Sequence, residues 1–209
     1  ISGNNGEGKT NLLDAIHCLS MSKSAFGSSD RWNYRHGSNF YAISGNYLMH
    51  EGQRARFSVH CAEGEEKKIT RDGKAYNRIS DHIGVLPLVM VSPGDSALVS
   101  EGSEARRRFI NAVLSQMDHE YLSDVQRYTR HLAGRNAILK SGKADESVLE
   151  TIDWHLDALA GRIHARRAAF AAQLEPVVAA FYEQLSGGSE KVGISYRSDL
   201  SEAPLLDIL

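Results

Sequence analysis

Eight residues near the start of the chain follow the spacing G-x-x-x-x-G-K-[ST]: Gly3-Asn4-Asn5-Gly6-Glu7-Gly8-Lys9-Thr10. Glycines in such a loop let the backbone turn with positive φ and come close to an anion, so that successive N–H groups surround it. The lysine adds a positive charge at the terminal phosphates, and the Thr10 hydroxyl can ligate Mg²⁺. The motif therefore predicts a phosphate-binding loop.

The residues that follow the loop favour a helix, because Leu12, Leu13, Ile16 and Leu19 recur at helical spacing. A helix that begins near Asn11 would direct its positive N-terminal end at the same phosphates. The alternative is a glycine-rich turn that precedes a helix without binding a ligand. We expect a nucleotide site that consists of Gly3, Asn4, Asn5, Gly6, Glu7, Gly8, Lys9, Thr10 and Asn11.

Composition limits the classes of protein that fit. The 209 residues, 42% hydrophobic and 24% charged, suffice for one sizeable core or two small ones. A net charge of −2 provides no overall basic field, so a nucleic-acid partner would need a local basic patch. Cys18 and Cys61 fit buried thiols in a reducing cytoplasm, and no apolar run of about 18 residues predicts a membrane span. Only two residues precede the loop, where a buried strand is expected, so the chain looks cut at its N-terminus.

Alternating residues after the first helix predict antiparallel β-structure. Residues 40–48 and 55–61 form one predicted hairpin, and residues 67–71 and 74–79 form a second around a tight Asp72-Gly73 turn. The apolar run 86–91 has the length of a buried strand, which we expect to return to a main sheet. Residues 24–39 form a loop whose Arg31, Arg35 and His36 could reach a nucleotide or simply be solvated.

The second half of the chain is rich in helix formers. We predict one amphipathic helix from Ser103 and another from about Asp118, broken at residues 141–143. A third runs from Glu146 toward Leu185 and is interrupted or bent at Pro176. Helices of this kind pack as an antiparallel bundle or arm.

Four segments together resemble the RecF family of bacterial DNA repair proteins: the loop and helix at 3–16, the Leu-Pro to Ser-Pro run at 86–93, Glu-Ala-Arg-Arg-Arg-Phe at 104–109, and Arg-Asn-Ala-x-Leu-Lys at 135–140. The resemblance covers essentially the whole chain in a fixed order. It implies an α/β fold, an incomplete P-loop ABC/SMC-type ATPase head with antiparallel β hairpins and an inserted helical arm domain. The implied domains are a head lobe with the P-loop and β subdomain at 1–92, the helical arm at 93–186, and a return segment at 187–209.

The resemblance also implies a function. Such proteins bind ATP and Mg²⁺, form an ATP-dependent homodimer, and act on DNA at gaps and single-strand–duplex junctions in the cytoplasm. Their partners are mediators of the RecR and RecO type, with roles in recombinase loading and the SOS response. A weak DNA-dependent ATPase is expected of the full-length protein. This chain shows no apolar strand ending in paired acidic residues, so we expect weak nucleotide binding without useful hydrolysis, and the catalytic residues stay unknown.

Basic residues in the helical part are candidates for DNA contacts, since phosphate binding requires local clusters of positive charge. They could instead pair with Glu104, Asp124, Asp153 and Asp157, or be solvated. Arg162, Arg166 and Arg167 add to the basic character of the third helix. The candidates for DNA binding are Arg106, Arg107, Arg108, Arg127, Arg130, Arg135 and Lys140.

Two segments depart from what the family leads us to expect. Residues 185–190 look like an ABC signature, but a strand-like pattern follows at 192–196, so a helix-ending turn at Gly187 is favoured. Ser24-Ala25-Phe26-Gly27 stands where many family members carry Ser-Phe-Arg, so a nucleotide-contacting arginine cannot be assigned. The alternative functions are another SMC-like or ABC-type ATPase such as a transporter subunit, a P-loop kinase, and a structural interaction module.

Overall fold

The computed structural model describes residues 1–27, 29–142 and 145–209. The chain divides into two compact units. The N-terminal unit contains Ile1–Ala105 and Ser115–His119, and the helical unit contains Arg106–Leu114 and Glu120–Leu209.

A four-stranded antiparallel sheet and one helix form the centre of the N-terminal unit. The helix α1 spans Lys9–Met21, and the strands β1 to β4 span Phe40–Leu48, Arg54–Ala62, Lys68–Arg71 and Lys74–Ala75 in sheet order. Both predicted hairpins are confirmed, although β4 ends earlier than predicted because residues 79–82 form a 3₁₀ turn. The second hairpin turns through Asp72 and Gly73, whose φ values of 51° and 80° suit a tight two-residue turn.

The core of this unit lies between α1 and the inner face of the sheet. Cys18 and Leu19 from α1 pack in one cluster with Phe57, Val59 and Cys61 from β2. Alternate residues of β2 are buried, as expected for a strand with one face on the core. Both cysteines are free and buried, which confirms the prediction from the sequence, and burial raises the pKa of the Cys18 thiol.

His82 connects the end of α1 to the segment after the sheet. Its side chain is completely buried, and its Nε2 donates a hydrogen bond of 2.6 Å to the carbonyl of Leu19. The imidazole packs near the rings of Phe57 and Tyr76. Burial lowers the pKa of His82, because the apolar surroundings disfavour the charged ring. The Ser20 hydroxyl donates to the carbonyl of Leu86, which is a second hydrogen bond between the end of α1 and the segment after the sheet.

The predicted buried strand at 86–91 is wrong. Leu86 is buried, but Val89 and Val91 are 87% and 83% exposed, and no strand of the described residues pairs with this run. The backbone of Leu88 instead bonds to the side chain of Gln116: its N–H donates to Oε1 at 2.8 Å, and its carbonyl accepts from Nε2 at 3.2 Å. A side-chain amide thus satisfies groups that a neighbouring strand would otherwise bond.

Three longer helices follow the short helix α2, which spans Ala97–Ser100. Helix α3 spans Ser103–Met117, α4 spans His119–Ser141, α5 spans Glu146–Ser186, and a last turn, α6, spans Leu205–Ile208. The predicted starts of α3 and α5 are confirmed. Helix α4 ends at the predicted break, of which residue 143 lies outside the described residues.

Pro176 lies inside α5 without interrupting it, so of the two predicted alternatives the interruption is wrong, and the bend stays a prediction. A proline inside a helix removes a single donor, and the other turns of a 41-residue helix keep theirs. The strand pattern predicted at 192–196 is also wrong, because those residues form neither strand nor helix.

Apolar side chains from three helices form the core of the helical unit. Leu114, Tyr121 and Ile163 are buried together, with Ile110 and Phe170 packed against them. Asp145 caps the start of α5 by accepting a hydrogen bond from the backbone N–H of Ser147. Among the helices that the structure describes, none combines the length and the apolar character needed to cross a membrane.

Candidate nucleotide-binding site

The predicted phosphate-binding loop runs directly into α1. Gly3, Gly6 and Gly8 have φ values of 156°, 88° and 82°, so each takes a conformation that L side chains rarely adopt. Gly8 is the residue before the helix, and its carbonyl accepts the first helical hydrogen bond, from Leu12 at 3.0 Å. The N–H groups of residues 9–11 therefore have no acceptor within the helix and remain available to an anion.

Lys9 lies within the loop. Its Nζ donates hydrogen bonds to the carbonyls of Gly3 and Asn4, at 2.7 and 2.6 Å. The Glu7 carboxylate accepts from the Asn4 N–H at 3.0 Å and closes the other side of the loop. Because both partners of the ammonium are neutral carbonyls, its charge can still act on a phosphate. These residues fit the terminal phosphates of a nucleotide.

Asp14 fixes the segment that follows α1. One oxygen of its carboxylate accepts from the Ser24 hydroxyl and the other from the Ala25 N–H, both at 2.7 Å. The Ser24 hydroxyl oxygen in turn accepts from the N–H groups of Phe26 and Gly27. Residues 24–27 are therefore held beside the first turns of α1, close to the predicted Mg²⁺ ligand Thr10.

A cavity of about 470 Å³ lies between α1 and this segment. Trp32 is 79% exposed and lines it, while Arg31, Arg35 and His36 do not. Sequence reasoning missed Trp32, because the only signal was an aromatic residue in a polar loop. The cavity is lined by Thr10, Asn11, Asp14, Ser24, Phe26, Gly27, Trp32 and Asn33.

All seven residues predicted to contact DNA belong to the helical unit. Arg135 is mostly buried and forms a two-pronged ion pair with Asp153, with 3.1 Å between its second nitrogen and Oδ2. This arrangement matches the internal pairing considered as the alternative for that arginine. The other six are exposed: Arg106, Arg107, Arg108, Arg127, Arg130 and Lys140.

Two arginines of α5 pair with carboxylates of α4. Arg162 binds Asp124 through two hydrogen bonds of 2.8 Å, and Arg166 contacts Glu120 at 3.3 Å. The hydrogen bond from Arg162 lowers the pKa of Asp124. The sequence analysis named Asp124 as a possible ion-pair partner of the arginines, as an alternative to DNA binding. It did not name Glu120 as a partner.

The outer face of the sheet carries basic residues that sequence reasoning did not select. Arg54 and Arg56 alternate with the buried residues of β2, and Lys68 lies opposite His60. The His60 ring stacks on Phe40, with 6.1 Å between ring centroids. The alternation of Arg54 and Arg56 along one strand is the signal that could have identified this face.

The signature-like segment ends a helix. Gly187 has a φ of 62° in the left-handed region, and its N–H donates to the carbonyl of Glu183. Gly188 donates to the same carbonyl at 3.0 Å. This is the helix-ending turn favoured from the sequence.

Comparisons with known proteins identify relatives in one family of DNA repair proteins. DNA replication and repair protein RecF of Phocaeicola vulgatus is 42% identical over 208 residues, and that of Bacteroides thetaiotaomicron is 44% identical over 208 residues. Each alignment covers 99% of this chain and 56% of the relative, so the chain spans a little over half the length of these curated relatives.

A solved structure of the recombination mediator protein RecF-ATP in the RecFOR pathway superposes with a TM-score of 0.82. The match has 26% sequence identity and covers 88% of this chain and 50% of that one. No family model matches the chain.

Proposed function

We propose that this RecF homologue, matched over 99% of its length, supplies the ATP-binding part of an ATP-dependent DNA-binding protein of recombinational repair. The observation that carries the proposal is the loop of residues 3–10, which holds the Lys9 ammonium at the N-terminus of α1. A ligand with several negative phosphates fits that combination of lysine, backbone N–H groups and helix dipole. The residues proposed to bind the nucleotide are Gly3 to Asn11.

In this proposal each residue of the loop has a separate task. Lys9 would exchange its two carbonyl partners for phosphate oxygens, and the N–H groups at the start of α1 would hold the same anion. The Thr10 hydroxyl would be a ligand of Mg²⁺, whose chemical contribution is to neutralise phosphate charge. Asp14 would keep residues 24–27 in place beside the nucleotide through its bonds to Ser24 and Ala25.

Bound ATP would act as a switch between two states of the whole protein. A ligand shifts an equilibrium only through different affinities for the two states, so ATP must bind the closed homodimer more tightly than the separate heads. We propose that closure around gapped DNA or a single-strand–duplex junction places the protein where RecO- and RecR-type mediators act. Recombinase loading, a part in the SOS response, weak DNA-dependent ATP hydrolysis and a cytoplasmic location belong to the same proposal.

The DNA contacts are proposed for exposed basic residues of the helical unit. Arg106, Arg107, Arg108, Arg127, Arg130 and Lys140 keep this role as candidates. Arg135 is the weakest candidate, since Asp153 already binds its guanidinium through two nitrogens. A DNA contact there would have to break a largely buried ion pair, which is costly when one partner is left behind.

The test is DNA binding by the full-length protein. Gapped duplex is titrated with and without ATP over a series of salt concentrations, and the wild type is compared with Lys9→Ala and with Lys74→Ala, a change at an exposed residue of β4. We expect ATP to tighten binding in the wild type and in Lys74→Ala but not in Lys9→Ala. The logarithm of affinity should fall linearly with the logarithm of salt concentration. DNA binding that is absent or indifferent to ATP would overturn the proposed function.

A further inference from the structure

The helical unit contains a second cavity, of about 360 Å³. This volume lies within the range of small-ligand sites. Apolar side chains of α4 and α5 form its floor, and a segment near the end of the chain contributes Tyr196 and Ser198. The polar groups around it include Arg107, Asn111, His164, Arg167, Tyr196 and Ser198.

Arg167 has only neutral partners. Its Nε donates to the Tyr121 hydroxyl at 3.0 Å, and a terminal nitrogen donates to Oδ1 of Asn111 at 2.9 Å. The Tyr121 hydroxyl itself donates to that Asn111 oxygen. Within the described ranges, no carboxylate lies at ion-pair distance from Arg167.

The neighbouring arginines behave differently. Arg135, Arg162 and Arg166 each bind a carboxylate. Arg167 is half-buried, so water screens its charge less than it would at an open surface. A half-buried guanidinium without an opposite charge is costly unless an anion joins it.

His164 supplies a second polar group without a partner in the same cavity. Its Nδ1 is buried and has no hydrogen-bond partner among the described residues. His164 and Arg167 are three residues apart on α5, which places them on one face of the helix. The imidazole ring lies 5.5 Å from the ring of Tyr196, between centroids. The cavity is therefore lined by a cation that lacks a counter-charge and by a histidine whose buried Nδ1 has no partner among the described residues.

We propose that this cavity binds a phosphate group, either as free phosphate or as a phosphodiester of a nucleic acid. A guanidinium offers paired donors that match two phosphate oxygens, and the imidazole of His164 can donate to a third. Ser198 lines the same space; its hydroxyl oxygen accepts from the Leu200 N–H at 3.3 Å, and its hydrogen can be donated to the remaining oxygen. The site is separate from the P-loop and does not depend on the function proposed for it.

The test follows the ring signals of His164 by NMR in the complete 209-residue chain. Lys9→Ala is present throughout, so that the P-loop does not contribute. Inorganic phosphate is titrated against chloride at constant ionic strength. We expect a saturable shift of the His164 signals, with affinity at least tenfold lower after Arg167→Gln and partly retained after Arg167→Lys. Arg162→Gln is the matched control on the same helix and should leave the affinity unchanged.

A second titration with a short single-stranded thymidine oligonucleotide identifies the source of the phosphate. A shift with inorganic phosphate alone would support a free anion, and a shift with the oligonucleotide would support a phosphodiester. The proposal is overturned if neither probe gives a saturable shift, or if the shift persists at the same affinity in Arg167→Gln. Because Arg167→Lys keeps the charge with a similar length, it separates a lost binding group from a misfolded chain.

Discussion

Leu88 and Gln116 are joined by two hydrogen bonds, in which the backbone of one residue meets the side-chain amide of the other. The contact bridges 28 positions of sequence and holds an extended segment to the end of α3. Gly84 lies against the same turn, where an added Cβ would be 2.3 Å from the backbone oxygen of Gln116. The two contacts together fix residues 84–88 within the N-terminal unit.

Gln116→Ala should destabilise the protein by about 1–3 kcal/mol, since it removes two hydrogen bonds and leaves the Leu88 groups without their partner. Urea unfolding followed by circular dichroism measures the change. Gln126→Ala, at an exposed position of α4, serves as the control and should stay within about 0.5 kcal/mol of the wild type. Equal effects of the two substitutions would show that the hydrogen bonds between Leu88 and Gln116 contribute nothing to the stability of the protein.

Gly3→Ala should weaken ATP binding by about tenfold or more, which corresponds to about 1.4 kcal/mol. The φ of 156° is a backbone conformation that L side chains rarely adopt, so alanine is strained there. Its Cβ would also lie 2.3 Å from a Glu7 carboxylate oxygen and displace that carboxylate, which accepts from the Asn4 N–H. Titration with a fluorescent ATP analogue measures the affinity. Gly102→Ala is the control, because its Cβ would meet no atom within 4 Å and its φ is not in the left-handed region.

ATP should change the fluorescence of Trp32. The chain has two tryptophans, so Trp154→Phe leaves Trp32 as the single reporter. Its indole lines the cavity that also contains Thr10, and an arriving nucleotide would alter its exposure to water. The change should saturate with ATP and disappear in Lys9→Ala. If saturating ATP left the fluorescence spectrum of Trp32 unchanged, the nucleotide would not reach this cavity.

Acid should destabilise the fold through His82. Burial lowers the pKa of His82 below the ordinary histidine value of about 6.5, so the ring is harder to protonate in the folded protein than in the unfolded chain. Stability from this group is therefore complete above about pH 6.5 and decreases as the pH falls from there toward the lowered pKa, by at most about 1.4 kcal/mol per pH unit.

Urea unfolding at several pH values between 7.5 and 5.5 tests this dependence. His82→Gln keeps a donor for the Leu19 carbonyl but cannot titrate, so its unfolding free energy should change less over the same range. His36→Gln, in an exposed loop, should follow the wild type. A steep acid dependence that survives in His82→Gln would assign the effect to other groups.

Local patterns predicted the hairpins and the long helices well. Alternation in residues 40–48 and 55–61 and the Asp72-Gly73 turn reflect nearby contacts, and the antiparallel pairing follows from them. The glycine-rich turn of residues 3–8 was equally visible, because its backbone conformation depends on glycines that lie close together in sequence.

The errors arose where distant contacts decide the structure. The run 86–91 has the composition of a strand, but a side chain 28 residues away takes up the backbone groups of Leu88. Trp32 lines the same cavity as Thr10 and Ser24, and Asp14 holds Ser24 and Ala25 from a position ten residues before Ser24. The periodicity of the sequence does not reveal such contacts. The unanticipated pairing of Arg166 with Glu120 likewise spans 46 positions between two helices.

The uninterrupted course of α5 has a mechanical consequence. Its 41 residues rise 1.5 Å each, so a straight helix of this length would be a rod about 60 Å long. A tilt of about 10° at one end of such a rod would move the opposite tip by about 10 Å, which is the width of a helix with its side chains. A small rotation at the base of α5 is thus amplified into a displacement large enough to make or break a contact at its far end.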